Sequence, residues 1–324
     1  MGNTRLGFDV GSSSLKIAVL RGNETRVEEV RLPENMVDAA GQIALPHAFA
    51  QFLRQTRKEL ALPRGPAALA LPPSQAICRL VTMPRMTTEQ LMLNLPYEFS
   101  DFIQGAADQY HCDYAVCVSG EEEDQGVPMM AAAAAKQTLA GYGQMFRQAG
   151  LRLKTVLPQE MALIQLCQVR GAGAEEFCFV DLGHQLTRIT VVWRDRIQAT
   201  RQIALGGRNL DLIVAGETGV DPFLSNTYKA SNFQDVLTLP AVAEVCDRIA
   251  VEILKVINFY QFTYRSSTLE GIYLVGGGAS MDLLRRSIEN TVGLSLLDPA
   301  DLLPEVGERA AAGVFAAGAA MGGK

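Results

Sequence analysis

The chain has 324 residues, 48% hydrophobic and 20% charged, with a formal net charge of −6. That is enough for a full core and one to three domains, and an acidic balance without a strong basic run disfavours a nucleic-acid binder. Six scattered cysteines with no Cys-x-x-Cys spacing argue against zinc and for a reducing compartment, and three histidines in three segments form no ligand pattern. No apolar run reaches the roughly 18 residues that span a bilayer, and the N-terminus has no apolar signal core, so a soluble protein without membrane insertion is expected.

The first element is Leu6-Gly-Phe-Asp-Val-Gly-Ser-Ser-Ser-Leu-Lys-Ile-Ala-Val-Leu20, which reads as strand, tight turn, strand. Gly11, Ser12, Ser13 and Ser14 turn the backbone. Gly11 lets main chain approach a ligand, and the hydroxyls add donors. Amides and hydroxyls turned toward one concavity suit phosphate, and Lys16 adds positive charge. Asp9 would repel phosphates unless it acts through a divalent cation or its waters, which is how Mg²⁺ is usually held. The plain alternative is an ordinary Gly-Ser hairpin with a solvated acid.

A third strand is expected over 25–32. A helix from Pro46 to near Leu60 follows, with Phe49, Phe52 and Leu53 on one face, then a buried strand over 66–71. From about 74 to 155 the pattern changes. A strand over 76–83 precedes a helix opened by Thr87-Thr88-Glu89-Gln90, with Thr87 or Thr88 as cap and Pro96 bending or restarting it. Strands over 110–118 and 128–135 flank an acidic loop at 121–126, and a helix over 139–150 stops at Gly150. This is a small α/β module inserted into the first unit. Its helix carries Leu91, Leu95, Tyr97 and Phe99, more apolar surface than one buried face needs, and so a candidate slot for an extended peptide. Packing on the module's own strands is the plain alternative.

Gln159 and Glu160 open the next helix after Pro158. Helix-start capping explains them; the resemblance named below implies a second role, positioning water for attack on a γ-phosphate. The opening pattern then returns in Cys178-Phe-Val-Asp-Leu-Gly-His-Gln-Leu-Thr-Arg-Ile-Thr-Val-Val192. Asp181, Gly183, Arg188, Ile189 and Val191 match Asp9, Gly11, Lys16, Ile17 and Val19 at one offset of 172 residues. A repeat of that length implies two similar domains rather than a solenoid. Two such hairpins would grip a nucleotide's phosphates and metal from both sides. Further on, Glu252 and Lys255 share a helix face and make a weak surface pair, unless they take the adenosine role that the resemblance named below implies. A short strand from Gly271 then runs into Gly276, Gly277, Gly278 and Ala279, where bare backbone can lie against a ring or phosphate.

These three motifs in this order resemble the actin-like ATPase superfamily. There the Asp-x-Gly-Ser turn with its Lys is the first phosphate loop, and Asp181, Gly183 and Thr187 fall on the second. Gly276 to Ala279 fall on the adenosine segment. The inserted module is similar to that of the cell-division protein FtsA and the pilus assembly protein PilM. Several stretches resemble the PilM family in particular: Met83-Pro84-Arg85-Met86 before a helix with Glu98, the run Ala131 to Ala135, the turn Leu205-Gly206-Gly207, the helix from Glu252 to Tyr260, and the closing run from Ala310 to Gly318.

The resemblance implies an α/β fold of duplicated actin-like, ribonuclease H-like domains with an FtsA/PilM-type insert. The boundaries expected are 1–74 with 156–175 for the first domain, 75–155 for the insert and 176–324 for the second. It implies ATP and Mg²⁺ as ligands. Asp9 and Asp181 would hold the metal through water, with Gly206, Gly207, Glu252 and Lys255 near the nucleotide. It also implies a cytoplasmic scaffold for pilus, secretion or competence assembly, peripheral at the inner membrane. Its partner would be a PilN-like inner-membrane protein, held by its short cytoplasmic N-terminal peptide, with self-association as a further option. The chain departs from the family at His184-Gln185, at Asn209-Leu210-Asp211 and at Gln159-Glu160, where relatives carry smaller residues, Thr and Asp. These changes bear on hydrolysis more than on binding, so weak or absent turnover is expected. The alternatives are an active ATPase and an FtsA-like polymerising tether. An Ala/Gly-rich C-terminus with a single terminal Lys324 disfavours the tether.

Overall fold

The computed structural model describes residues 4–22, 24–38, 41–103, 105–118, 126–171 and 174–322. Most of the expected acidic loop (121–125) and Lys324 lie outside them. The chain divides into two compact units. Met1–Gly173 with Val192–Gln198 and Gly313–Lys324 make the first, and Ala174–Val191 with Ala199–Ala312 make the second. The first unit thus takes back the chain's end, which the sequence reading had left with the second half.

In the first unit, strands β1 (Thr4–Val10), β2 (Ser14–Arg21) and β3 (Glu24–Arg31) form an antiparallel meander. Helix α1 (Pro46–Glu59) leads to β4 (Pro66–Leu71), parallel to β1. The insert follows as β5 (Ala76–Met83), α2 (Thr88–Asn94), β6 (Tyr110–Val116) and β7 (Val127–Ala135), a separate sheet in the order β5-β7-β6. Helix α3 (Lys136–Gln148) and strand β8 (Arg152–Pro158) complete a five-stranded sheet ordered β3-β2-β1-β4-β8, and α4 (Gln159–Arg170) leaves its edge.

The second unit repeats this plan. Strands β9 (Glu176–Leu182), β10 (Thr187–Trp193) and β11 (Arg196–Ile203) precede helices α5 (Gly207–Thr218), α6 (Pro222–Ser231) and α7 (Pro240–Thr263). Then come β12 (Gly271–Val275), α8 (Asp282–Val292) and β13 (Ser295–Leu297), after which α9 (Ala310–Gly322) belongs to the first unit from Gly313 onward. The sheet order is β11-β10-β9-β12-β13, the same as in the first unit. The fold is α/β, with a duplicated sheet and an inserted module.

Strand periodicity sorts each central strand into two faces. On β1, Leu6, Phe8 and Val10 join α1 and α3 in one core, where the Phe8 and Phe146 rings meet edge to face at 5.0 Å. Gly7 and Asp9 take the other face, toward α9 and α4. On β9, Cys178, Val180 and Leu182 join the core made with α5, α7 and α8. Asp181 takes the opposite face.

The insert corrects one expectation. Leu91, Leu95 and Phe99 are buried against Val81, Met83, Cys112, Met129 and Ala131 of the insert's own strands. Thr87 caps α2 through a capping box with Gln90, and Pro96 turns the chain into a 3₁₀ helix (Leu95–Phe99). The tighter turn swings Leu95 and Phe99 onto the same sheet as Leu91, so the three are floor rather than slot. Tyr97 alone of the four is exposed, beside exposed Met92, Leu93 and Phe102.

Close backbone approach fixes α9 in the first unit. A side chain on Gly7 would overlap the Ala316 carbonyl, and one on Gly318 would overlap the Ala162 carbonyl of α4. Gly318→Leu should therefore cost about 2–3 kcal/mol by overpacking. Gly141→Ala within α3, which meets open space, should instead stabilise by about 0.5–1 kcal/mol. Urea titration of both variants checks the contrast.

Candidate functional site

Each unit carries its site at the end of its central strand. In the first, β1 and β2 pair in a register that sets Asp9 opposite Lys16. The Gly11 amide donates to the Ser14 carbonyl at 3.0 Å and closes the turn. The Lys16 ammonium lies over Gly11, where a side chain would crowd it. Ser14 donates its hydroxyl to Glu29 of β3 at 2.6 Å. Ser12 and Ser13 stand half-buried at the turn, and the Ser13 carbonyl accepts from the Leu32 amide at 2.9 Å.

Asp9 is 3% exposed, yet it sits where a charge must be held. Gln159, at the first turn of α4, donates from Nε2 to Asp9 Oδ1 at 2.7 Å. Glu160 is buried beside it. Two neighbours report these acids. Burial pushes the Cys78 thiol well above its usual range, and the negative charges of Glu160 and Cys117 add to the effect. The Tyr142 hydroxyl is pushed up to about 12, mainly by burial, with a hydrogen bond from Gln75 opposing and the Asp9 charge adding. Asp9, Lys16, Gln159 and Glu160 thus converge, joined by Tyr142, which sequence reasoning missed because an aromatic on a helix face gives no sign of a polar neighbour.

The second unit closes its turn the same way, with the Gly183 amide donating to the Leu186 carbonyl at 3.1 Å. Arg188 stands 3.8 Å from Asp181, in the place of the Asp9–Lys16 pair. The glycine triplet lies alongside, since β12 runs parallel to β9 with Val275 opposite Asp181. Gly276 has φ +82°, and a side chain there would collide with the Asp181 carboxylate. Gly278 packs on Leu182 and Ala279 is buried, while Gly277 is exposed.

Three predicted contact residues are already engaged within the unit. Thr187 is fully buried and donates to the Leu205 carbonyl at 2.9 Å. The Gly206 amide donates to Asn209 Oδ1 at 2.9 Å, and the Gly207 and Arg208 amides donate to the Gly183 and His184 carbonyls at 3.0 and 2.6 Å. Asn209 thus caps α5. A side chain on Gly206 would crowd both loop carbonyls. The start of α5 is therefore a brace for the hairpin. Beneath it lie Asp211, 1% exposed, and Lys229, which sequence reasoning did not single out. Glu252 and Lys255 pair at 2.7 Å on the exposed surface of α7; such a pair contributes roughly 0–1 kcal/mol. No cluster of three or more His, Cys, Asp or Glu suited to a metal occurs among the described residues.

The sequence profile of the family described as type IV pilus assembly protein PilM matches residues 7–304. The chain belongs to that family. A solved structure titled as the PilM–PilN type IV pilus biogenesis complex contains a chain 22% identical to it, with a TM-score of 0.83 and 98% of both chains covered. The ethanolamine utilization protein EutJ of Carboxydothermus hydrogenoformans is 17% identical with a TM-score of 0.61, covering 99% of this chain and 90% of that one. At these identities the likeness is one of fold. The fold is the actin-like one, and no helix among the described residues of this PilM-family chain is long and apolar enough to cross a membrane.

Gln159 bonds a buried carboxylate, so its removal should register in stability as well as in any chemistry. Gln159→Ala is expected to lower unfolding free energy by about 1–3 kcal/mol. A denaturation midpoint equal to wild type would mean that the Asp9 bond contributes nothing to the fold.

Proposed function

We propose that this PilM-family chain binds Mg-ATP and serves pilus assembly as a scaffold for a PilN-like membrane protein. The observation that carries the nucleotide half is the repeated hairpin, with one closing bond, one acid and one basic partner in each unit. The fit to an anion is local and physical. Glycine backbone is bare at Gly11, Gly183 and Gly277, and Lys16 and Arg188 supply charge beside the turns. Asp9 and Asp181 suit a Mg²⁺ held through its waters, since Asp9 lies opposite Lys16 in register, Asp181 lies beside Arg188, and neither belongs to a metal-type cluster of acids among the described residues. When bound, Mg-ATP would supply the triphosphate and the cation. The chain's own residues would orient them and hold Asp9 in place through Gln159. Thr187, Gly206 and Gly207 would act from behind, as braces.

Gln159 spends one amide proton on Asp9 and so serves as its support. Binding without rapid turnover is what the departures at His184-Gln185, Asn209-Leu210-Asp211 and Gln159-Glu160 lead us to expect. Asp9→Ala and Asp181→Ala should each weaken Mg-ATP binding more than tenfold, about 1.4 kcal/mol, by calorimetry. Unchanged affinity in both would end the nucleotide reading. Turnover of wild type is expected below roughly 1 s⁻¹ in a phosphate-release assay.

The partner half rests on the family and on the exposed apolar side chains of the insert, Met92, Leu93, Tyr97 and Phe102. An extended N-terminal peptide of a PilN-like protein would lay apolar anchors on these side chains over the floor of Leu91, Leu95 and Phe99. Tyr97→Ala and Leu93→Asp should abolish peptide capture in fluorescence anisotropy while leaving Mg-ATP affinity intact. Normal capture by both folded variants would move the docking surface elsewhere.

A further inference from the structure

The end of the first unit away from its hairpin collects positive charge. Ala70 of β4 stands opposite Asp9, and Pro66 lies four residues back along the strand, roughly 13 Å at 3.3 Å per residue. Pro66 pairs with Arg152 at the start of β8, and Arg64 comes just before it in the chain. Lys154 is skipped where β8, an edge strand, pairs with β4. Helices α1 and α3 both finish at this end. Arg57 of α1 donates to the Ala149 carbonyl just past α3 at 3.4 Å, and Arg26 of β3 donates to the Leu60 carbonyl just past α1 at 3.3 Å. Lys58 and Arg147 stand in the last turns of the two helices. Lys58, Arg64, Arg147, Arg152 and Lys154 are all exposed, and none of them makes an ion pair among the described residues. The nearby acids are already engaged. Glu28 lies 3.7 Å from Arg26, and Glu59 accepts from Gln55 at 2.8 Å.

Ordinary structural roles account for part of this charge. A helix C-terminus is equivalent to about half a negative charge, so α1 and α3 together offset about one cation. One lysine on an edge strand discourages pairing with another chain. The remaining cations have no such role, on a chain whose net charge is −6. We propose that this end face adsorbs to an anionic lipid surface through Lys58, Arg64, Arg147, Arg152 and Lys154, with the hairpin at Asp9 turned away from the bilayer. The inference goes beyond the scaffold reading, since it needs neither nucleotide nor a PilN-like peptide. Among the described residues, no exposed large apolar side chain falls within 46–66 or 147–158. A protein partner is gripped through aromatic and apolar anchors, and a nucleic-acid strand through stacked aromatics in a groove. Lipid headgroups need only charge. The potential of an anionic leaflet attracts basic side chains within a Debye length, and each Lys or Arg close to it strengthens adsorption roughly fivefold. The five cations sit at strand starts and helix ends that stop at one end of the layers, so they share a face rather than a track.

The test is flotation of the full chain with vesicles of phosphatidylcholine, alone or mixed with phosphatidylglycerol. At low salt, wild type should float with the anionic vesicles and stay behind with the neutral ones. It should come off at about 1 M NaCl, where the Debye length is roughly 3 Å. Arg64→Gln, Arg152→Gln and Lys154→Gln together remove three cations that lie in no helix. That variant should keep the wild-type melting temperature and bind the anionic vesicles roughly 100-fold more weakly. Lys58→Gln with Arg147→Gln, on other segments, should weaken binding roughly 25-fold. Wild type that fails to float with anionic vesicles at low salt would overturn the proposal, and that result needs no variant to fold. Equal adsorption by wild type and both folded variants would overturn it as well, as would equal binding to neutral and anionic vesicles. Tighter binding of wild type to a DNA duplex than to the anionic vesicles at the same salt would make the face a nucleic-acid site and refute the lipid assignment. Each of these outcomes leaves the nucleotide and peptide readings standing.

Discussion

A carboxylate at the end of a central strand, buried at Asp9 and half-buried at Asp181, is the constraint around which each unit is arranged. Leaving such a charge unpaired costs several kcal/mol, so the fold must bring donors to it. Asp9 receives the Gln159 amide from α4 and faces Lys16 across the β1–β2 register. Asp181 lies beside Arg188, with Gly276 stripped of a side chain to make room for it. The turn that follows each acid is closed by the same glycine amide to carbonyl bond. Shared topology and shared closure make the two hairpins one device used twice.

The surrounding elements differ because the two acids are supported differently. In the first unit the support is a helix start, Gln159 and Glu160 on α4, and α4 is in turn held by α9 through a glycine contact at Gly318. A helix made almost wholly of Ala and Gly has little side-chain volume to bury. Its stabilisation comes from dispersion at short backbone separation, and one added methyl group is felt at once. In the second unit the support is the start of α5, whose first amides bind the loop carbonyls and whose Asp211 is neutralised from α6. The hairpin there is braced by peptide groups and charge, the first by packing and a side-chain amide.

Much of this was legible in the sequence. The strand expected over 76–83 matches β5, which ends before Pro84, and Thr87 announced its capping box, because strand ends and helix caps are set by residues close in the chain. The repeat at Asp9 and Asp181 was visible because a turn that must place an acid, a glycine and a base in fixed order leaves little freedom in residue type. For the same local reason Gly11 to Ser14 pointed to amides and hydroxyls facing one concavity.

Other features were decided only in three dimensions. Leu91, Leu95 and Phe99 read as surplus apolar surface, and became core because a 3₁₀ turn after Pro96 alters the angular step between them. Thr187 read as a ligand contact, yet tertiary packing gives its hydroxyl to Leu205. The His184–Asp211–Lys229 cluster draws on a turn and two helices with long intervening segments, and no local pattern links such residues. The sequence by itself determined the two hairpins, their acids and the presence of an inserted module, since those depend on short-range backbone geometry. The tertiary structure alone decided which polar groups are consumed as supports and which still face outward, because burial is a property of the packed layers and not of any stretch of chain.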